Sequence, residues 1–217
     1  MSKLFKRVVF IFFISLVTTY AQNQDPEAKL LLRDVKSKIN SYKNIRISFK
    51  YSLENKEENI SQETEGKVTL KENMYTLEIL GIKRIFDGHN LYSISYEDEE
   101  VTISNYENDE ENTISPNNML SFFNQGYNYT LDIEQNKSGL LIQYIKFTPI
   151  DSKSEIKYIL LGIEKRTKHI HNLIEIGKNN TKTTLSVTNF DYNLPLKNSD
   201  FSFNVSKYSN FYINKID

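Results

Sequence analysis

His169 and His171 stand two apart in a stretch of strand-like composition, a spacing that points both rings to one side of an extended chain. With Glu164 or Glu175 they could bind a divalent metal, since imidazole and carboxylate are ordinary zinc ligands. No third ligand follows at a metal-site spacing, so they are expected as solvated strand residues, with no metal. His89 falls in a polar turn and is expected at the surface. Serine, histidine and aspartate all occur, but no Gly-x-Ser-x-Gly turn presents a nucleophile. There is no cysteine to act as a nucleophile, pair in a disulfide or carry a lipid, and no Gly-rich phosphate loop. No enzyme and no cofactor is expected; a small hydrolase or isomerase is the weakest of three functional readings.

The chain has 217 residues and a formal net charge of −1. Lys3, Lys6 and Arg7 precede an apolar run from Val8 to Val17, and Thr19 and Ala21 stand at the −3 and −1 positions before Gln22. This is the layout of a secretory signal peptide, so residues 1–21 are expected to be cleaved and 22–217 to form one domain. The run is shorter than the ~20 apolar residues a spanning helix needs. Cleavage removes three basic residues and no acidic one, leaving a net of about −4, which does not suggest nucleic acid or an anionic membrane surface as partner. A domain of this size can stand on its hydrophobic core without disulfides.

Asp25 is a natural N-cap and Pro26 suits the first helical position. Ala28, Leu31, Leu32, Val35 and Ile39 then recur at helical spacing, giving one apolar stripe. Beyond Tyr42 the period becomes two: Ile45, Ile47, Phe49, Tyr51 and Leu53 alternate with polar residues. Glu54 to Glu63 reads as a polar loop. Gly66–Leu70 with Met74–Leu80, and Ile82–Phe86 with Leu91–Tyr96, read as hairpins, and Val101–Tyr106 follows a charged turn. Glu107 to Asn112 is an acidic loop, solvated rather than a docking surface. Ser115 to Gln125 reads as a short helix, opened by Pro116 and closed by Gly126. Five further strands are expected: Tyr127–Glu134, Leu140–Phe147, Ile156–Glu164, Ile170–Ile176 and Thr183–Asp191.

No helical crossover is long enough for a parallel pair, so the strands are expected as an antiparallel meander. About ten such strands curl rather than lie flat. The fold class is therefore mainly β (α+β): a curled antiparallel sheet forming an open barrel or half-barrel, with the two helices plugging or covering it. The chain carries 14 Tyr and 13 Phe and no Trp. A single curled sheet leaves a hollow unless its inner residues are large or something else enters.

Several short motifs then fall in order. Gly66-Lys67-Val68-Thr69-Leu70-Lys71 is similar to a Gly-x-Leu-x-Leu-Lys strand, Phe86-Asp87-Gly88 with Leu91-Tyr92 to an Asp-Gly-x-x-Leu-Trp hairpin, and Asp200-Phe201-Ser202-Phe203 to a Phe-x-Phe ending. Together with the leading helix, Tyr42 and the Ser48-Phe49 strand, they span about residues 25 to 205. In this the chain resembles the LolA-like periplasmic lipoprotein carriers, as a divergent member. Two departures stand out: Glu72-Asn73 replaces the family's Arg-Pro, whose arginine is tied to unloading, and Tyr92 replaces its tryptophan.

The resemblance implies an open β-barrel with a helical lid over an apolar cavity, in which acyl chains are carried across the periplasm. The expected lipid-binding residues are Leu32 and Val35 on the first helix, Phe49 and Tyr51 on the first strand, Leu77 and Ile79 on the third, and Met119, Leu120, Phe122 and Phe123 on the lid. The expected partners are an acylated lipoprotein or similar lipid as cargo, with a donor protein at the inner membrane and an acceptor at the outer; the protein itself is expected as a monomer. The alternative is an envelope lipid- or stress-sensing module that binds a protein and carries nothing.

Overall fold

The structure, a computed structural model, describes residues 24–105 and 126–216. The helix comes first: α1 spans Pro26–Asn40 and Asp25 caps it. Asp25 Oδ1 accepts hydrogen bonds from the Glu27 and Ala28 backbone N–H groups at 2.8 and 3.3 Å. This satisfies donors that have no partner within the helix.

Six strands follow in a meander: β1 (Asn44–Asn55), β2 (Ile60–Lys71), β3 (Met74–Ile79), β4 (Ile82–Phe86), β5 (Asn90–Ser95) and β6 (Glu100–Asn105). A second run contains β7 (Tyr127–Lys137), β8 (Leu140–Pro149), β9 (Ile156–Glu164), β10 (Ile170–Gly177) and β11 (Lys182–Tyr192), and β12 (Tyr212–Ile216) comes last. All twelve form one sheet, in the order β12-β6-β5-β4-β3-β2-β1-β11-β10-β9-β8-β7. The two runs join where β1 pairs with β11, from Ile45↔Tyr192 to Glu54↔Lys182. The edge strands β7 and β12 do not pair, so the sheet is an open half-barrel.

The side-chain period assigns the faces. Ile45, Ile47, Phe49, Tyr51 and Leu53 all point one way. Cross-strand register carries that face from Ile45 through Leu70, Tyr75 and Phe86 to Leu91, and from Tyr51 through Leu185 and Leu173 to Leu161. The α1 stripe lies on the same face. Ala28 and Val35 are buried against Tyr129, Ile145, Phe147, Ile159, Leu161 and Ile163. Burying Val35 alone stabilises by roughly 2 kcal/mol. This helix-bearing side is called the inner face below.

Two expectations change. Glu54 to Glu63 is mostly strand, because β1 runs to Asn55 and β2 starts at Ile60. The turn needs only residues 56–59: Asn55 Oδ1 accepts from the Glu57 and Glu58 N–H groups, and Asn59 takes a positive φ of 54°. The sheet is also not purely antiparallel, since β12 runs parallel to β6. Two short 3-10 helices, Asn198–Phe201 and Val205–Tyr208, lie between β11 and β12. The chain after β11 crosses the outer face of β4–β6 on its aromatic side chains: Phe203 stacks on Tyr92 at 4.7 Å, and Phe203, Tyr208 and Phe211 pack with Ile85, Ile94 and Val101. The expected Ser115–Gln125 helix lies outside the described residues.

The motif residues have structural work. Asp87 Oδ1 accepts from the His89 and Asn90 N–H groups at 2.9 and 2.8 Å, closing the β4–β5 turn, and the Tyr92 hydroxyl donates to Asp87 Oδ2 at 2.9 Å. Phe201 is fully buried.

Candidate lipid-binding face

Each half of the inner face has a different cover. Over β7–β10 it is α1. Over β3–β5 the buried cluster of Tyr75, Phe86 and Leu91, joined by Leu70 and Leu77, is made by strands alone among the described residues. Burial falls away along the strands. In the row Ile45–Leu70–Tyr75–Phe86–Leu91 all but Leu70 are buried; one step on, Val68 is buried between half-buried Ile47 and Leu77; beyond them buried Phe49 shares the tract with half-buried Ile79 and Tyr51 and exposed Ile82. Across the β1–β11 seam, Phe190 faces Ile47, Val187 faces Phe49 and Leu185 faces Tyr51, all half-buried but Phe49, which is buried. The result is an apolar tract that is closed at one end and accessible at the other.

Phe49, Tyr51, Leu77 and Ile79 all lie on this tract. Phe49 and Ile79 flank Gly66 in one cross-strand row. A Cβ at Gly66 would collide with the Phe49 ring, so glycine lets that ring lie flat across β2. Leu32 and Val35 belong instead to the α1 contact with β7–β10, Leu32 half-buried and Val35 fully buried. Met119, Leu120, Phe122 and Phe123 lie outside the described residues.

A cavity of about 420 Å³ opens around Gly66. Of the candidates it is lined only by Phe49 and Ile79, and its wall includes Ser48, Lys67 and Glu78 from the opposite face as well as Leu80, Ile82 and Tyr96 near the strand ends. It is thus more polar than the expected apolar cavity. Lys83 donates to Glu78 at 2.7 Å and holds that carboxyl below its usual range.

The histidines are not the solvated strand pair expected. His169 precedes β10, and the β9–β10 register shifts between Ile170 and Asn172. The Tyr42 hydroxyl lies 2.7 Å from His169 Nε2. The His169 ring stacks on Phe190 at 4.0 Å and Tyr42 stacks on Tyr192 at 4.4 Å. This cluster fastens the chain just after α1 to the β1–β11 seam. Burial pushes His169 below the ordinary imidazole value, Lys38 adds to that, and Glu164 opposes it. His171 is lowered by burial and then by Lys137. Among the described residues no group of three His, Asp or Glu could hold a metal.

No family model matches the chain, and no curated protein sequence matches it. Solved structures do. An uncharacterized conserved protein from Thermus thermophilus has a TM-score of 0.61 at 10% identity, over 88% of this chain and 99% of that one. The lipoprotein LppX of Mycobacterium tuberculosis has a TM-score of 0.51 at 14% identity, over 80% of this chain and 99% of that one. A LolA superfamily protein from Nitrosomonas europaea matches at 10% identity with a TM-score of 0.40, over 79% and 97%. The chain shares the fold of the Thermus thermophilus protein and of LppX. Identities this low establish the fold and say nothing of shared site residues.

Within this fold, sequence reading missed Ile47, Val187 and Phe190 as members of the tract. Ile47 was legible, because it alternates with Phe49. Val187 and Phe190 were not, because the strand register shifts opposite Ser48 and Phe49 and breaks the alternation.

Proposed function

We propose that the protein is a periplasmic carrier that holds acyl chains of a lipoprotein, or of a similar lipid, on the accessible part of its inner face. The observation that carries this reading is the apolar tract of Ile47, Phe49, Tyr51, Leu77, Ile79 and Phe190, half-buried for the most part and built on one continuous sheet. A 16-carbon chain buried there would gain about 10 kcal/mol before costs, at ~0.8 kcal/mol per CH₂. A donor must help a chain leave one membrane and an acceptor must take it at the other, so two partner proteins belong to the proposal. Residues 1–21 act as the export signal, and the mature chain starts at Gln22. The role assigned to each residue is binding, with no catalytic step.

Organic extraction of the protein purified from the periplasm, followed by mass spectrometry, tests this. Fatty acyl species in about one-to-one proportion with protein are expected. Recovery of no lipid, together with no uptake of a fluorescent fatty acid by the delipidated protein, would refute the reading.

A further inference from the structure

We propose that Arg84 is the ionic anchor of the inner face and that the ligand is therefore an anionic amphiphile, its oxyanion held by the Arg84 guanidinium and its chain lying along the tract. The inference rests on the reading of that face as a lipid surface and adds the chemical class of the ligand.

The register decides which way Arg84 points. Arg84 pairs with Leu77 on one side and Ser93 on the other, and Leu77 pairs with Val68, which pairs with Ile47. All of these share the inner face. Read across β1–β6, every other Lys or Arg points outward: Arg46 and Lys50 on β1, Lys67 and Lys71 on β2, and Lys83 on β4. Arg84 is therefore the one basic residue on the inner face of these six strands. It is also only partly exposed. Among the described residues, no hydrogen bond or ion pair engages its guanidinium, whereas neighbouring Lys83 is paired with Glu78.

An arginine placed mid-row between leucine and serine, with Ile82 and Phe86 on either side along the strand, pays desolvation without receiving a countercharge. Its planar fork of donors matches a carboxylate or a phosphate. Ser93 beside it adds a hydroxyl donor for an oxyanion, while the Ser95 and Thr102 hydroxyls already donate to Asp98 and Glu100. The apolar groups for a chain start at half-buried Leu77, the adjacent residue across the strand, and continue past buried Val68 to half-buried Ile47.

The test uses the delipidated mature protein and four probes: a long-chain fluorescent fatty acid, the alcohol of the same chain, the corresponding alkyl phosphate, and inorganic phosphate as competitor. Arg84→Gln should weaken the acid and the alkyl phosphate about tenfold, the loss of one charge-assisted pair, and leave the alcohol within about twofold. Arg84→Lys, which keeps the charge and loses the fork, should fall between. Equal binding of acid and alcohol by wild type, unchanged in Arg84→Gln, would overturn the anchor while leaving the lipid reading intact. Displacement of the acid by inorganic phosphate at comparable concentration would mark a free-anion site and overturn the amphiphile. Failure of the wild type to bind any chain-bearing probe would sink both readings together. A matching thermal midpoint for wild type and both variants guards against unfolding as the cause.

Discussion

The Asp25 carboxylate joins two elements: one oxygen caps α1, and the other, Oδ2, accepts the Leu131 backbone N–H of β7 at 3.1 Å. Asp25 N–H in turn donates to the Tyr129 carbonyl at 3.0 Å. The start of the helix is thereby bonded to an edge strand of an open sheet, and the rest of α1 follows onto the inner face.

Asp25→Ala should accordingly lower the thermal midpoint by about 2–4 °C, the scale of a lost N-cap in a domain of this size. These hydrogen bonds, the one from Leu131 foremost, hold the Asp25 carboxyl below its ordinary value of 3.8. A depressed carboxylate contributes stability above the unfolded-state value and loses it as pH falls through the folded one. The difference between wild type and variant should therefore be full at neutral pH and shrink below about pH 4 in thermal melts.

Tyr42 and His169 secure the other end of the helix. Tyr42→Phe keeps the stack on Tyr192 and loses the bond to His169, so a destabilisation of about 1 kcal/mol is expected by denaturant titration. The depressed His169 pKa means that the folded state favours the neutral ring. Its contribution is complete above the ordinary value of 6.5 and is lost as pH falls below it. An NMR titration of His169 with a midpoint at or above 6.5 would contradict this.

Gly66 separates Phe49 from Ile79, and any side chain there displaces the Phe49 ring. Gly66→Ala should destabilise by about 1–3 kcal/mol, an overpacking cost. Circular dichroism should keep its β-sheet form, while binding of a fluorescent fatty acid changes because the tract changes shape.

Most of this architecture could be read from alternation and punctuation. The helix begins at the Asp25-Pro26 signal, and ten of the eleven expected strands lie within a few residues of those observed, because each is flanked by turn residues. The exception in position is β2, whose first half, from Ser61 to Glu65, is polar on both sides and so carries no period-two signal. β12 escaped because five residues ending a chain, Tyr212 to Ile216, look like a tail; what makes them a strand is the parallel ladder to β6, a long-range pairing. Among the candidate residues, Phe49, Tyr51, Leu77 and Ile79 share a face because a strand alternates. Val35 looked the same in sequence, yet an amphipathic stripe does not say whether it meets ligand or sheet, and here it meets sheet.

Phe203 and Leu77 separate the two faces experimentally. Phe203→Ala removes the stack on Tyr92 at the outer face and should cost about 1–3 kcal/mol of stability without altering fatty-acid affinity. Leu77→Gln, at a half-buried inner position, should cost less stability and weaken fatty-acid binding severalfold. Paired denaturant and binding curves for the two variants check this.

The most direct measurement for the carrier reading is photocrosslinking of a diazirine-bearing fatty acid to the mature protein, with the adducts mapped by peptide mass spectrometry. The account predicts labels on inner-face residues of β1, β3 and β11, centred on Phe49, Tyr51, Leu77, Ile79 and Phe190. Adducts confined to the outer face, around Phe203 and Tyr208, or no adduct above that of a non-binding control protein, would contradict it.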